Sequence, residues 1–358
     1  MRIALGLMSA SAGTGTIRRC SALIAGAVLM LAMTAPGALA QSAADHFRGK
    51  EIRLLIGSSA GGGYDTFART IAQHWGKHIP GNPTFVPQNL PGPMSLPVAN
   101  RIFSASANDG LTIGAINPQI ASDAILHPDR ARFDARKFLW IGSALRETQT
   151  MVANAGAPVQ KFEDAFTKEL VLGASGGASD TFPTAVNAIL GTKFKIVHGY
   201  KGTREANLAM QRGEVQGIGG ITWASVKATM GDLLAAKKIV VVAQYGLEKH
   251  PDLPDVPHVL SFAKTDEQRA ALMLPFATQE FGRPYVAAPN TPPMIAQALR
   301  TSFMKTMQDP AFLADAKARG LDIDPLGGEE IERLVEDLYK TPPAVIERMR
   351  AIFALPGK

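Results

Sequence analysis

Two segments 115 positions apart carry the same pattern: Gly61-Gly62-x-x-Asp65-Thr66-Phe67 and Gly176-Gly177-x-x-Asp180-Thr181-Phe182 share five residues at one spacing. Each follows a short apolar run, 52–56 in the first half and 170–172 in the second. Each precedes apolar residues at helical spacing: Phe67, Ala68, Ile71, Ala72 and Trp75, then Ala185, Val186, Ile189 and Leu190. A strand, a glycine-rich loop and a helix, repeated in both halves, constrain the chain to α/β lobes built the same way twice. Asp65 and Asp180 are expected to be helix N-caps, accepting the first free N–H groups. A helix N-terminus presents unpaired N–H groups and about half a positive charge, so a carboxylate or phosphate settles there. Two such loops facing each other across a cleft predict an anion-binding site.

The remaining pattern agrees with that frame. Further apolar runs at 111–116, 138–142, 150–153, 196–200 and 238–243 predict strands, and 205–212 predicts a helix. From 291 onward helices dominate, over 292–307, 310–319, 329–339 and 343–353. Strands separated by helices indicate mostly parallel sheets. The 358 residues suffice for two domains, and 46% hydrophobic with 19% charged residues excludes disorder and coiled coil. The formal charge of +6 reflects the first forty residues, which hold Arg2, Arg18 and Arg19 and no acid. Without them 34 basic residues face 31 acidic ones, which is no nucleic-acid footprint.

Those forty residues read as an export signal. Arg18-Arg19 is followed by an apolar stretch at 22–33 and by Ala38-Leu39-Ala40 before Gln41. The stretch is too short for a bilayer, which needs about 20 residues. Cleavage after Ala40 and a periplasmic product are therefore expected. The only cysteine, Cys20, lies in the signal, so residues 41–358 have neither disulfides nor Cys-zinc sites.

The motifs in order resemble the extracytoplasmic solute-binding proteins of tripartite tricarboxylate transporters, the TctC-like or Bug family. The resemblance rests on Ala60-Gly61-Gly62-Gly63-Tyr64-Asp65-Thr66-Phe67-Ala68-Arg69, Asn89-Leu90-Pro91-Gly92 and Asn108-Asp109-Gly110-Leu111-Thr112-Ile113. In the second half it rests on 173–180, Tyr200-Lys201-Gly202, 213–217, Leu253-Pro254-Asp255-Val256-Pro257 and Ala288-Pro289-Asn290-Thr291-Pro292. It departs at Pro93-Met94-Ser95-Leu96, where many relatives have Ala-Gly-Gly. The resemblance implies an α/β, two-lobed type II periplasmic-binding fold with a ligand cleft between the lobes. The implied division is 1–40 signal, 41–149 first lobe, 150–275 second lobe, and 276–358 returning to the first lobe with C-terminal helices. It implies that the two loops hold a ligand carboxylate through Ser59, Gly61, Gly62, Gly63 and Asp65, with Ser175, Gly176, Ser179 and Asp180 opposite. Tyr64 is placed to flank the ligand, and Asn117, where a strand ends, joins the candidate set.

Other chemistries are weighed on the same residues. Gly173-Ala174-Ser175-Gly176-Gly177 satisfies the Gly-x-Ser-x-Gly of a nucleophile elbow, so the alternative is a secreted serine hydrolase using Ser175, with Asp252 or Asp255 and His258 downstream. The helix expected to begin at Asp180 starts too far past Ser175 for an elbow. His74 and His78 are spaced as two metal ligands on one helix, yet no His-Glu-x-x-His is present and a solvent-side pair is expected. No nucleotide motif occurs. Lys201 and Arg204 are expected to be surface charges or, failing that, partners of a second carboxylate, and Trp140 and Trp223 are expected in the core. The expectation is a monomeric binding protein, not an enzyme, without metal, cofactor or nucleic-acid partner. Its partners are a small carboxylate and the permease subunits of a transporter.

Overall fold

A computed structural model describes residues 43–354 except 59, 62 and 201. The signal-peptide expectation and the candidates Ser59, Gly62 and Lys201 lie outside the described residues.

The chain runs β1 (Glu51–Ile56), α1 (Gly63–Trp75), β2 (Thr84–Asn89), α2 (Leu96–Ala105), β3 (Thr112–Ala115), α3 (Ile120–Leu126), β4 (Leu139–Ser143) and β5 (Gln149–Asn154). It continues through β6 (Leu170–Gly173), α4 (Ala178–Leu190), β7 (Phe194–Val197), α5 (Thr203–Gln211), β8 (Gly217–Thr222), α6 (Trp223–Ala235) and β9 (Ile239–Gln244). After α7 (Asp266–Phe276) come β10 (Pro284–Ala287), α8 (Pro293–Met307), α9 (Pro310–Ala318), β11 (Leu326–Gly327), α10 (Gly328–Tyr339) and α11 (Pro343–Ala354).

Two sheets result, ordered β11-β4-β10-β3-β1-β2 and β7-β6-β8-β5-β9. Both follow one scheme. The strand before each glycine-rich loop, β1 or β6, pairs in parallel with a neighbour on either side. One antiparallel strand, β10 or β5, is inserted beside the third. In each sheet the inserted strand is the first one the chain lays down after crossing over. The crossings run from Ser143 to Gln149 and, by way of α7, from Gln244 to Pro284, and they touch one another. The N–H groups of Ala144, Glu147 and Gly282 donate to the carbonyls of Arg283, Gln279 and Leu145 at 3.1, 2.8 and 2.8 Å.

Apolar packing explains why both repeats form. Phe67 and Phe182, equivalent in the two halves, are 6% and 1% exposed and anchor α1 and α4 to their sheets. In the first half Trp75 stacks on Phe85 and meets Tyr285 and Phe303 edge-on. In the second, Phe182 contacts Tyr245 and Phe276 at 5.0 and 4.8 Å. Trp140 and Trp223 are core residues, as expected. Helix α11 packs on α3, α4 and α7, so the end of the chain touches helices from both halves. No described helix is long and apolar enough to cross a membrane.

Candidate functional site

The first loop joins β1 to α1 and is held from below. Asp65 is not an N-cap: it lies inside the first turn of α1, its side chain 5% exposed. Its Oδ2 accepts the Gly61 N–H at 2.8 Å, and its Oδ1 accepts Arg69 Nε and Asn89 Nδ2, both at 2.8 Å. Asn89 also donates to the Ser58 carbonyl at 3.0 Å and accepts Arg69 Nη2 at 2.7 Å. Burial pushes the Asp65 carboxyl up, but the hydrogen bonds from Gly61, Asn89 and Arg69 outweigh it and hold the group below the usual carboxylate range. Gly61, in the left-handed region at φ 78°, and Gly63 are exposed on the loop.

The second loop reaches the same shape with different atoms. Gly177, not Asp180, caps α4, at φ 60° and ψ −137°, a conformation that disfavours any side chain. The Asp180 and Thr181 N–H groups donate to its carbonyl. Ser179, 4% exposed, accepts the Ser175 N–H at 3.0 Å and donates to the Gly176 carbonyl at 2.9 Å. Asp180 faces solvent with His198 Nδ1 3.7 Å away, its side chain 38% exposed.

Between the halves lies a cavity of about 110 Å³. Tyr64 of α1 and Asn117, Pro118 and Gln119 after β3 line it from one side; Gly177, Ala178 and Phe182 line it from the other. Glu147, Gln149, Thr278 and Gln279, from or beside the crossings, form the rest of its wall. Tyr64, Asn117 and Gly177 are thus brought together. Ser175, Gly176 and Ser179 lie in the loop that carries Gly177, while Gly61, Gly63, Asp65 and Asp180 are not part of the wall. A bigger depression of about 820 Å³ lies along α8, lined by His78, Pro293 and Met294, with neither loop in it.

Among the positions not singled out for the site from sequence, which include the wall residues Gln119, Gln149 and Gln279, three tie the site together. Ser95, in the segment that departs from the family pattern, donates to the Gly57 carbonyl at 2.9 Å and accepts the Asn117 N–H at 3.1 Å. It ties the end of β1 to the cavity wall. Met94 and Ser95 both adopt positive φ, 52° and 60°, which glycine would occupy without strain. The departure from Ala-Gly-Gly was the available signal. The other two are Glu147 and Arg283, an ion pair of 2.6 Å joining the crossings. Burial pushes the Glu147 carboxyl up against the pull of the guanidinium. Arg283 also lies over the Tyr64 ring, 4.0 Å from its centroid, and burial raises the Tyr64 phenol above its ordinary value.

The groups considered for other chemistry have other partners. Asp252 accepts Trp223 Nε1 and Lys227 Nζ, and His258 Nε2 lies 3.1 Å from the Gly246 carbonyl, so neither addresses Ser175. His74 and His78 do not form a solvent-side pair: they are part-buried against Asp315 and Asp309 of the α9 region at 3.2 and 2.8 Å. Arg204 is exposed at the start of α5.

No family model matches the chain. A Cupriavidus necator protein, named only as a UPF0065 protein in the gbd 5′ region, is 25% identical over 337 residues, covering 91% of this chain and 95% of its own. A TctC solute-binding protein from Polaromonas superposes with a TM-score of 0.65 at 17% identity, over 85% of this chain and 98% of that one. An R. palustris protein solved with adipate gives 0.60 at 19% identity, over 84% and 97%. The sheet order, the two crossings and these superpositions define a type II periplasmic-binding fold, and the chain resembles the TctC-like solute-binding proteins along most of its length.

Proposed function

We propose that this protein is an exported, monomeric solute-binding protein that captures a small carboxylate in the cleft between lobes 41–149 with 276–358 and 150–275, and presents it to the membrane subunits of a tripartite tricarboxylate-type transporter. The observation that carries this reading is the cavity at the junction, walled from both halves and fed by a glycine-capped helix N-terminus. The N–H groups of Ala178 and Ser179, the first two residues of α4, precede the helical ladder and suit a carboxylate. Ser59, Gly61, Gly62 and Gly63 complete the grip from the first loop. Asp65, Ser175, Gly176, Ser179 and Asp180 hold or flank the two loops, with Tyr64 and Asn117 against the solute. A solute that touches both lobes binds the closed arrangement better than the open one and shifts the population toward it. No chemistry is done on it.

A library of small carboxylates tests the site by thermal unfolding. A ligand at 100 times its dissociation constant stabilises by about 2.7 kcal/mol. For lobes of this size that is a rise of about 5–10 °C. Gly177→Val removes the shift, because φ 60° strains any side chain and the added group, its Cβ 3.8 Å from Gln119 Oε1, takes up space at the cavity wall. A normal shift in that variant overturns the site. Stoichiometric labelling of Ser175 by a fluorophosphonate would overturn the binding role in favour of hydrolysis.

A further inference from the structure

The cavity presents an acid to its ligand, and none of the described residues that wall it is a cation; the acid's own partner, Arg283, binds it through Nη1 and keeps its Nε buried without a hydrogen-bond partner. Glu147 lines the wall, its side chain 9% exposed, and its carboxylate holds Arg283 Nη1 at 2.6 Å. The guanidinium of Arg283 is in turn covered by the Tyr64 ring at 4.0 Å and the Phe67 ring at 5.2 Å. Beside Glu147 the polar wall includes Tyr64, Thr278 and the amide side chains of Asn117, Gln119 and Gln149, with Asn117 Oδ1 accepting the Gln119 N–H at 2.9 Å. A fourth amide, Gln279, is occupied internally, its Oε1 accepting the Gln149 N–H at 2.7 Å and its Nε2 donating to the Phe276 carbonyl at 3.2 Å.

The two ends of the cavity therefore ask for opposite chemistry. At Gly177 and Ala178 a helix N-terminus favours negative charge. At Glu147 a carboxylate oxygen accepts hydrogen bonds, which a donor N–H or O–H supplies and a second ionised carboxylate, itself an acceptor only, does not. The volume limits what spans them: an apolar cavity of about 150 Å³ admits benzene, so about 110 Å³ suits roughly six non-hydrogen atoms or fewer.

We propose that Glu147 is the specificity-determining residue of this site, and that the solute is a short monocarboxylate carrying an N–H or O–H donor toward Glu147, in place of the second carboxylate of a dicarboxylate. This inference rests on the carboxylate-binding reading above and narrows it. Amino, amide and hydroxyl donors all satisfy the acceptor, and the arms of the test separate them.

The test is thermal shift and calorimetry on the protein beginning at Gln41, with size-matched probes at neutral pH. One arm holds alanine, lactate and oxamate, a second oxalate and malonate, a third acetate and propionate; oxamate and oxalate have the same number of non-hydrogen atoms and form the matched pair. The expected result is that at least one donor-bearing monocarboxylate binds ten-fold or more tighter than both dicarboxylates and both plain acids. Glu147→Gln removes the charge and should move the ratio toward dicarboxylates at least ten-fold. Because that change strips Arg283 of its partner, Gln149→Lys serves as a second variant, adding a cation to the wall with the ion pair intact, and should shift the ratio the same way. A dicarboxylate that equals or outbinds its size-matched monocarboxylate in the unaltered protein overturns this inference and leaves the carboxylate site standing. Acetate or propionate binding as tightly as the donor-bearing acids also overturns it. Silence from all three arms overturns both readings.

Discussion

The two glycine-rich loops look alike in sequence and are fastened differently. In the first, a buried carboxylate gathers three N–H donors from Gly61, Asn89 and Arg69. In the second, a single hydroxyl does the equivalent work, Ser179 taking the N–H four residues earlier as Asp65 does. The matching clasps lie 114 positions apart, whereas the matching letters lie 115 apart, so Asp180 shares Asp65's name and not its task. The lesson concerns charge. A negative group beneath the first loop, balanced by Arg69, opposes an anion above it, while the neutral clasp of the second leaves the dipole of α4 available. The second loop's Gly177 and Ala178 accordingly wall the cavity, and the first loop's described contribution is Tyr64.

That contrast can be broken by substitution. The largest effect belongs to what the loops share: Phe67→Ala and Phe182→Ala should each cost about 3–5 kcal/mol in urea unfolding, since both open cavities in cores. Unequal losses would mean that the two repeats are not anchored alike. Next, Asp65→Ala leaves the Gly61 N–H and the Asn89 amide without their acceptor and should cost about 2–3 kcal/mol, Arg69 being exposed enough to hydrate. Ser179→Ala should cost about 1 kcal/mol. Asp180→Ala, solvent-facing, should stay within about 0.5 kcal/mol. A loss at Asp180 equal to that at Asp65 would restore the symmetric reading of the loops.

Acid sharpens the same comparison. The folded state holds Asp65 below its unfolded value of about 3.9, so its stabilisation is complete above that value and is lost as pH falls through the lowered one. The difference in melting temperature between the unaltered protein and Asp65→Asn should stay constant from about pH 8 to pH 5 and close below about pH 4. The Ser179→Ala difference should not follow that course. A gap for Asp65→Asn that does not narrow at all as pH falls below about 4 would show that the charge of the carboxylate does not hold the loop.

Much of this architecture was readable from residues. Short apolar runs marked β1, β3, β4, β5, β6, β9 and, over its last two residues only, β7, and proline at or beside the first helical position marked α8, α9 and α11. Four strands were not readable, and β8 shows why. It spans Gly217, Gly219 and Gly220, which erase the strand signal. Their smallness is what packing requires, since a Cβ on Gly220 would stand 2.4 Å from the Ala178 carbonyl carbon at the start of α4. The glycines that hide the strand let the second loop settle on its sheet. Pro87 hides β2 in the same way and is tolerated because β2 is an edge strand. At the site, backbone loops announced themselves through glycine, whereas Glu147 and Arg283 are 136 positions apart and meet only because the two crossings lie side by side.

The insertion of β10 between β3 and β4 also bears on the order in which the molecule can be assembled. The first sheet begins at Glu51, yet its middle stays open until residues 284–287 arrive, about 140 residues after β4 ends. The second sheet draws all five strands from 149–244 and closes on nearer neighbours. Contacts that span less chain form faster. The half that is synthesised later is therefore the first able to complete its sheet, and the half that is synthesised first waits for it.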